Sequence, residues 1–488
     1  MRIIKDCLPV ILGPLTDIMN CSFATSTFPN SWKASEVIPL LKDGDNEDPS
    51  NNRLLSMLAV ASKICETVAL QQFSNYLRRN GLLSKHQSGN RKYHSTETLN
   101  IMISDFLLDA MDNKRLSALI LLDLSKAFDS ISHSILSQKL SLVAADKTTQ
   151  WFERYLTDGT QVVGIGTSTS TPLPITHGVP QGAILSPLLF CICISDLPLA
   201  PQVCNLESHV DDSKIFLSFP VKDAKSTKRV LEEDLRRVAA WCCKNKLLIN
   251  PEKTTFLTVG TQQLLRRLPN EISISFLGKE ITPVSSAKDL GIILENNLTY
   301  DQHIHQLTSS CMAKLCQINR VKNSFDRDTL RTIISALVLS KLFYCSTVWS
   351  NTTATNIKKL KAVQNFACRI ITKTKKFEHI TPALREIKWL PVNEHLHYTD
   401  TVMTFTCMKG LAPTYLCESL RRRKSIHYHN TRNRESLDIP PSKTKSGQRR
   451  FFHRAVNIWN NLDKDFKQLS LPSFKKKLKT HMLENYFN

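Results

Sequence analysis

The chain has 488 residues, of which 42% are hydrophobic and 22% are charged. It is long enough for about three domains and too apolar for a broadly disordered protein. Its 64 Lys and Arg residues exceed its 43 Asp and Glu residues, which gives a formal net charge of +21. Such an excess attracts polyanions such as phosphate backbones, although a solvated basic surface has the same composition. The 14 cysteines form no CxxC pair, so we expect a reducing compartment and no zinc site.

The N-terminus predicts neither a signal peptide nor a membrane span. In "MRIIKDCLPVILGPLTDIMN", Asp6 and Asp17 flank a short apolar run that prolines interrupt, and no small-residue cleavage site follows. No stretch approaches the ~18 consecutive apolar residues that cross a bilayer. We therefore expect a soluble, intracellular protein of the nucleus or the cytoplasm, with no clear targeting signal and no membrane partner.

Helices and strands are predicted as far as about residue 296, and mostly helices beyond it. Residues 1–52 are expected to hold short helical pieces and a polar loop at 42–52, and residues 53–80 a helix. "LSALILLDL" (116–124) is typical of a strand buried on both faces, although a buried helix has the same pattern. Residues 226–247 predict an amphipathic helix, and residues 254–260 a strand.

The C-terminal part carries most of the positive charge. Residues 351–488 contain 27 basic and 10 acidic residues. Within them, residues 421–450 are poor in apolar side chains and predict a linker or an extended loop. A last amphipathic helix is indicated by Phe474, Leu478 and Met482, which follow one another at four-residue spacing.

Asp123 stands near the end of the apolar run at 116–124. A carboxylate in an apolar strand is costly unless it is paired or bound to a cation. An ion pair with Lys126 is the structural alternative to a metal ion.

Two later segments also carry residues suited to chemistry. "HGVPQGAILSPLLF" (177–190) combines the Gln181 amide with glycines that let a backbone approach a ligand, as an ordinary turn before a helix also does. In "SHVDDSKIFLSF" (208–219), Asp211 and Asp212 lie between two apolar stretches, as at the tip of a hairpin. A solvated polar turn is the common alternative for such a pair.

In this order, the three segments supply the parts of a two-metal site for phosphoryl transfer. Mg²⁺ prefers carboxylate oxygens and usually takes one or two protein carboxylates plus substrate phosphates. Two ions a few Å apart activate a 3′ hydroxyl and stabilise the leaving pyrophosphate. We therefore expect two Mg²⁺ ions as cofactors, which Mn²⁺ could replace.

The ordered motifs resemble those of reverse transcriptases from non-LTR (LINE-type, Jockey-like) retrotransposons. "LLDLSKAFDSISH" is similar to the first catalytic motif of that family, "GVPQGAILSPLLF" to its template–nucleotide motif, and "HVDD" stands where the family usually carries Tyr-Ala-Asp-Asp. Further resemblance lies in the fingers segment (37–66), in "LLSKHQSGNRKYHSTETL" (82–99), in 241–257 and in the primer-grip segment "AKDLGIIL" (287–294). It continues into the helical C-terminal region and covers nearly the whole chain.

The resemblance implies an α+β, right-hand polymerase fold of fingers, palm and thumb with an antiparallel palm sheet, followed by a mostly helical, basic C-terminal region. The expected parts are an N-terminal extension (1–36), fingers and palm (37–260), a primer-grip and thumb-like region (261–350) and the C-terminal region (351–488). The implied enzyme is an RNA-directed DNA polymerase that adds dNTPs to a DNA primer or target on an RNA template. The alternative is a catalytically inactive, nucleic-acid-binding remnant of such an element.

The resemblance also implies roles for single residues. The catalytic metal ligands would be Asp123, Asp211 and Asp212, and Lys253 would protonate the departing pyrophosphate. Phe128 would be the steric gate that rejects a ribose 2′ hydroxyl. The full set expected to contact nucleotide or template is Arg53, Phe128, Gln181, Gly182 and Val210.

The sequence departs from the family pattern near the expected site. Asn51-Asn52-Arg53-Leu54 replaces Asn-Tyr-Arg-Pro in the fingers, and His209 and Val210 replace the Tyr and Ala before the two aspartates. The Val210 side chain adds bulk beside the nucleotide. The apurinic-type endonuclease of such elements has no counterpart in this sequence, so we expect an endonuclease to act in trans.

Overall fold

A computed structural model of the chain describes residues 2–42, 44–45, 47–268, 272–425 and 435–487. Residues 43 and 46 of the predicted loop, and residues 426–434 of the predicted linker, lie outside these ranges. Up to residue 259, the described helices are α1 (Arg2–Thr25), α2 (Val60–Arg79), α3 (Thr96–Asp112), α4 (His133–Ser141), α5 (Asp146–Leu156), α6 (Ser186–Cys193) and α7 (Ala224–Lys244). The described strands of this part are β1 (Ala34–Leu41), β2 (Asn52–Leu58), β3 (Leu116–Leu122), β4 (Leu124–Ser125), β5 (Thr160–Ile165), β6 (Ser168–Thr169), β7 (Leu173–Pro174), β8 (Asn205–His209), β9 (Asp212–Phe219), β10 (Leu248–Ile249) and β11 (Thr255–Val259).

From residue 260 to residue 300 the chain forms short strands around one short helix. The described elements are α8 (Gln262–Leu265), β12 (Ile274–Phe276), β13 (Lys279–Ile281), β14 (Pro283–Val284), β15 (Ser286–Asp289) and β16 (Ile292–Glu295). Beyond residue 300 the described elements are helical, as the sequence predicts. They are α9 (Asp301–Val321), α10 (Arg327–Ile334), a π-helical turn (Ser335–Leu339), α11 (Ser340–Leu342), α12 (Ser346–Trp349), α13 (Ala354–Thr372), α14 (Thr381–Glu386), α15 (Val392–Met408), α16 (Thr414–Cys417), α17 (Lys445–Arg449), α18 (Phe451–Asn461), α19 (Lys464–Lys467) and α20 (Leu471–Phe487).

The central sheet has the strand order β14-β11-β3-β9-β8. Strand β3 pairs antiparallel with both β9 and β11, and β9 pairs antiparallel with β8. Alternate residues of β3 face two separate apolar cores: Leu119 belongs to one, and Ala118 and Ile120 to the other. Burial on both faces explains why this strand is a continuous apolar run instead of an alternating one, as the sequence predicts.

A second sheet contains β1, β2 and β5, with β6 and β7 paired to β5. Strand β2 pairs antiparallel with β1 along its whole length, from Leu58 opposite Ser35 to Asn52 opposite Leu41. The prediction of a helix over 53–80 is therefore wrong for its first residues, although α2 follows from residue 60. Pairing with β1 overrides the local preference of "RLLSML", because strand formation depends strongly on the neighbouring strand.

The N-terminal part forms one long helix, so the prediction of short helical pieces there is wrong. Helix α1 continues through Pro9 and Pro14. Ile11, Leu15 and Met19 recur at four-residue spacing on its partly buried face. The segment Asp6–Thr25 is long and apolar enough to cross a membrane by length and composition, and 6% of it is buried. This differs from the expectation that no segment qualifies, but signal sequences and core helices pass the same test, so it assigns no role to α1.

The C-terminal region packs directly on helix α3, which also packs against the central sheet. The Asp105 carboxylate accepts hydrogen bonds from the backbone N–H groups of Phe451 (2.7 Å) and Phe452 (3.0 Å), at the start of α18. Seven residues further along α3, the Asp112 carboxylate accepts from the N–H of Thr444 at 2.7 Å. One apolar core extends from α3 and β9 as far as α20, in which Phe474 is fully buried.

Candidate active site

The register of the central sheet aligns Asp123 with Asp212. Leu122 of β3 pairs with Ser213 of β9 in the antiparallel ladder. Asp123 follows Leu122 and Asp212 precedes Ser213, so the two aspartates continue the same alignment at the end of the strands. The charge of Asp123 also helps to raise the pKa of Asp212, as expected for nearby carboxylates.

Asp211 lies in the tight turn of the β8–β9 hairpin, as the sequence predicts. His209 pairs with Asp212 across the hairpin, which leaves Val210 and Asp211 as the two turn residues. Val210 has a φ of +58°, in the left-handed region. Burial lowers the pKa of His209 below its ordinary value, which favours the neutral imidazole beside the turn.

The carboxylates of this site repel one another. Partial burial, followed by the charges of Asp211 and Asp289, raises the pKa of Asp212 to about 6. A divalent cation would relieve that repulsion, so the donor set fits the expected metal. Within the described ranges, no three Asp, Glu, His or Cys side chains already converge as a complete metal site. A site with one or two protein carboxylates is completed by substrate phosphates and water.

A buried ion pair lies near Asp212. Lys214 lies two residues after Asp212 on β9, and its Nζ is 2.5 Å from the Asp289 carboxylate of β15. Both side chains are buried, and Lys214 Nζ also donates to Asn100 Oδ1 of α3 at 3.3 Å. None of these three residues was predicted from the sequence to have a role. The available signal was the single Lys in the strand "DSKIFLSF", because a buried Lys requires a partner.

The segment around Gln181 lies against the loop that follows Asp123. Gln181 Nε2 donates to both carboxylate oxygens of Asp129, at 3.0 and 3.1 Å. The backbone N–H of Val179 donates to the Phe128 carbonyl at 2.9 Å. Gly178 has a φ of +82°, and a Cβ there would lie 2.9 Å from Asp129 Cα. The geometry therefore brings the Gln181 segment to the residues that follow Asp123.

Phe128 is held in place by an aromatic contact. Its ring stacks on Phe190 of α6, with the centroids 4.9 Å apart and the planes 21° apart. The side chain is half-buried, so one part of the ring stays accessible. This arrangement suits a rigid wall beside a bound nucleotide, and the steric-gate role stays a prediction.

The second sheet contacts the same segment through β2. The Ser56 N–H of β2 donates to the Gln181 carbonyl at 2.7 Å. Gly182 has a φ of +117°, and a Cβ there would lie 2.8 Å from the Ser56 carbonyl oxygen, so the close approach requires glycine. Arg53 is exposed on the same strand, three residues before Ser56.

Lys253 is exposed in the turn that precedes β11. The same turn begins at Asn250, whose N–H donates to the Asp123 carbonyl at 2.9 Å. The turn is therefore anchored to Asp123, but the proton-donor role of Lys253 stays a prediction, as does the triphosphate role of Arg53.

A buried glutamate that was not predicted from the sequence positions the Gln181 segment. The Glu66 carboxylate of α2 accepts from the N–H groups of Ile184 (2.7 Å) and Leu185 (3.2 Å), directly before α6. Ser62 Oγ donates to its other oxygen at 2.9 Å. Its sequence signal was a carboxylate on the apolar face of a predicted helix.

Two curated relatives of the chain are named as RNA-directed DNA polymerases of mobile elements. The chain is 28% identical over 391 residues to the probable RNA-directed DNA polymerase from transposon BS of Drosophila melanogaster, an alignment that covers 78% of this chain and 42% of that protein. It is 25% identical over 366 residues to the RNA-directed DNA polymerase from mobile element jockey of the same organism, covering 73% of this chain and 39% of the relative. The chain thus spans about two fifths of the length of these relatives.

Among solved structures, the chain is similar to telomerase from Candida tropicalis in complex with a fragment of telomeric RNA. The TM-score is 0.40 at 14% identity, and the alignment covers 84% of this chain and 67% of that one.

The family model for reverse transcriptase (RNA-dependent DNA polymerase) matches residues 41–294, which is more than half of the chain. This range contains β2, the paired aspartates, the Gln181 segment and β15. The match, together with the relatives from mobile elements, confirms the resemblance to reverse transcriptases of non-LTR elements, and with it the α+β, right-hand polymerase fold. This chain belongs to the reverse transcriptase family.

Proposed function

We propose that the protein is an RNA-directed DNA polymerase of a non-LTR retrotransposon, which adds dNTPs to the 3′ end of a DNA primer on an RNA template. The alignment of Asp123 with Asp212 at the end of β3 and β9 carries this proposal. Together with Asp211, these residues would hold two Mg²⁺ ions. When bound, the ions would activate the primer hydroxyl and stabilise the leaving pyrophosphate.

The remaining residues would position the substrates and neutralise the negative charge of the triphosphate and the pyrophosphate. Phe128, fixed against Phe190, would exclude a 2′ hydroxyl from the sugar pocket. Gln181 and Gly182 would contact the template or the incoming base, since their segment lies against the loop after Asp123. Arg53 would neutralise the triphosphate, and Lys253 would give a proton to the pyrophosphate. An endonuclease acting in trans would supply the nicked DNA target.

The test is primer extension on poly(rA)/oligo(dT) with dTTP and Mg²⁺ or Mn²⁺. The proposal predicts extension by the wild-type chain and none by Asp211→Asn. Asp328→Asn, at an exposed position in the first turn of α10, is the matched control and should extend like the wild type. Equal primer extension by the wild type and by Asp211→Asn would refute the proposal that this chain is the polymerase.

The second candidate is a nucleic-acid-binding remnant without activity. It is favoured by the two changes in the catalytic turn, His209 and Val210, and by the 27 basic residues within 351–488. Filter binding of an RNA–DNA duplex across a salt series tests it separately, because the logarithm of a binding constant that rests on phosphate contacts falls linearly with the logarithm of the salt concentration. Binding with that slope, without extension in either metal, would establish the remnant in place of the polymerase.

A further inference from the structure

Residues 87–89, Gln-Ser-Gly, lie beside the β8–β9 hairpin. Gln87 forms an isolated parallel bridge with Ser208 of β8. The Ser88 N–H donates to the Ser208 carbonyl at 2.8 Å, and the Ser208 N–H donates to the His86 carbonyl at 2.9 Å. This segment, called the 87–89 segment below, is therefore fixed to the strand that leads into the turn.

The Gln87 side chain holds both backbone groups of one turn residue. Its Oε1 accepts from the Val210 N–H at 2.8 Å, and its Nε2 donates to the Val210 carbonyl at 3.1 Å. Oε1 also accepts from the Gly89 N–H at 2.7 Å. The side chain is buried, with 4% of the residue exposed. A buried amide with these three partners has one defined orientation.

The residue held in this way has an unfavourable backbone conformation. Val210 has a φ of +58°, which a β-branched side chain rarely adopts. Such conformations persist only where surrounding contacts fix them, and they are common at active sites. Val210 immediately precedes Asp211, so its backbone angles determine the direction in which the Asp211 carboxylate leaves the turn.

Glycine at position 89 makes the contact possible. A Cβ at Gly89 would lie 2.5 Å from Val210 Cγ2 and 2.7 Å from the Val210 backbone nitrogen. A larger residue would therefore push the 87–89 segment away from the turn. The Gln and the Gly have separate functions: the first supplies the hydrogen bonds and the second allows the approach.

We propose that Gln87 is a positioning residue of the polymerase site, which holds Val210 in the left-handed conformation and thereby aims Asp211 at the metal-binding position. The proposal rests on the proposed function for its catalytic part. Its structural part is a coupling between residues 87 and 210, which can be measured without any activity.

The first test is a double-mutant cycle on the free energy of unfolding. Gln87→Met keeps the volume of the side chain and loses its hydrogen bonds, and Val210→Gly removes the penalty of a positive φ. We expect Gln87→Met to be clearly less destabilising in the wild-type background, where the released Val210 recovers its backbone strain, than in the Val210→Gly background, where there is no strain to recover. Gln138→Met, at an exposed position of α4, should change the free energy of unfolding by the same amount in both backgrounds. Equal losses for Gln87→Met in both backgrounds would overturn the proposal.

The single variant Val210→Gly provides a second test that does not require Gln87→Met to fold. If Val210 is held against its backbone preference, Val210→Gly leaves the protein as stable as the wild type or more stable. Val162→Gly on β5, a half-buried valine within a strand, should be destabilising. If Val210→Gly lowers the free energy of unfolding as much as Val162→Gly does, Val210 is not held against its backbone preference.

The catalytic part is tested by single-nucleotide addition. We expect Gln87→Met to lower kcat by about tenfold or more, with little change in the KM for dNTP, because ground-state binding of the nucleotide does not depend on the aim of Asp211. The loss should be smaller in the Val210→Gly background. A kcat loss that is the same in both backgrounds would overturn the positioning role. If the wild type adds no nucleotide, the proposed function fails, while the unfolding cycle still decides whether Gln87 holds Val210.

Discussion

Asp212 is exposed at the start of β9, but its carboxyl is partly desolvated and lies near negative charges, and both oppose its ionisation. The pKa of its carboxyl is raised to about 6 by partial burial and by the charges of Asp211 and Asp289. Clustered carboxylates with raised pKa values are the usual state of a cation site without its cation. The same electrostatics that make the site destabilising in the metal-free protein would make it bind a divalent ion.

Asp212→Asn is expected to raise the melting temperature of the metal-free protein at pH 8 and to change it little at pH 4. The folded-state pKa of about 6 lies above the ordinary value of 3.8, so the folded protein binds this proton more tightly than the unfolded chain. The contribution to stability is therefore complete below pH ~4 and is lost as the pH rises through about 6. Thermal unfolding in EDTA from pH 4 to pH 8, with Asp328→Asn as the control, measures it. A difference in melting temperature that does not vary with pH would contradict this account.

Phe128→Val is expected to increase the use of rNTPs relative to dNTPs by about tenfold or more. The smaller side chain removes the wall that the stacked Phe128–Phe190 pair forms. The measurement is the ratio of kcat/KM values for rTTP and dTTP. Phe377→Ala, at a position that is 93% exposed, should leave the ratio unchanged. An unchanged ratio in Phe128→Val would remove Phe128 from the role of steric gate.

At the scale of elements, the site depends on hydrogen bonds that hold loops against helices. Asp234 of α7 is fully buried and accepts hydrogen bonds from the N–H groups of Gln202, Val203 and Cys204, directly before β8. Burial alone would raise the pKa of Asp234, but these hydrogen bonds lower it to about 2. This carboxylate thus fixes the entry to the β8–β9 hairpin, whose turn is contacted by Gln87.

Asp234→Asn is expected to lower the free energy of unfolding at pH 7 by about 2 kcal/mol, because an amide cannot accept from three N–H groups as a carboxylate does. Since the folded-state pKa is depressed, the stabilisation is present above the unfolded pKa and is lost as the pH falls from about 4 towards 2. Urea unfolding of the wild type and Asp234→Asn at pH 7 and at pH 3 measures the loss in free energy of unfolding at each pH. A loss that is as large at pH 3 as at pH 7 would argue against the hydrogen-bonded carboxylate as its cause.

Elements with a distinct local pattern could be predicted, and contacts between distant segments could not. The two-sided burial of β3 is visible in "LSALILLDL", and the hairpin is visible in the apolar stretches around Asp211. The strand β2 was predicted as a helix because its strand character comes from pairing with β1. Gln87 and Glu66 act on segments more than a hundred residues away, and neither the spacing nor the composition of their own neighbourhoods indicates those partners.

At the scale of the whole molecule, the predicted boundary at residue 350 passes through a shared core. Leu99 of α3, Trp349 of α12 and Phe474 of α20 are buried in the same apolar cluster. Helix α3 therefore packs against the central sheet and against the C-terminal region at once. The basic composition of residues 351–488 was visible in the sequence, whereas their attachment to the palm through Asp105 and Asp112 required the structure.

A chain truncated after residue 350 is expected to aggregate or to unfold without a cooperative transition, because it exposes the large apolar surface that the C-terminal helices cover. The full chain should show one main transition in scanning calorimetry. Two independent transitions in the full chain, together with a truncated chain that folds, would show that the two parts are separate domains.

The central claim is that the aligned aspartates make this chain a polymerase that copies RNA into DNA. The most direct measurement is single-turnover addition of one dNTP to a DNA primer annealed to a defined RNA template, with the wild type, Asp123→Asn and the exposed control Asp328→Asn. We predict addition of the complementary nucleotide by the wild type and the control, and a loss of at least about a hundredfold in Asp123→Asn, since a direct metal ligand matters more than the outer-shell partners of a metal site. Addition at the same rate by Asp123→Asn, or none by a folded wild type with either Mg²⁺ or Mn²⁺, would contradict it.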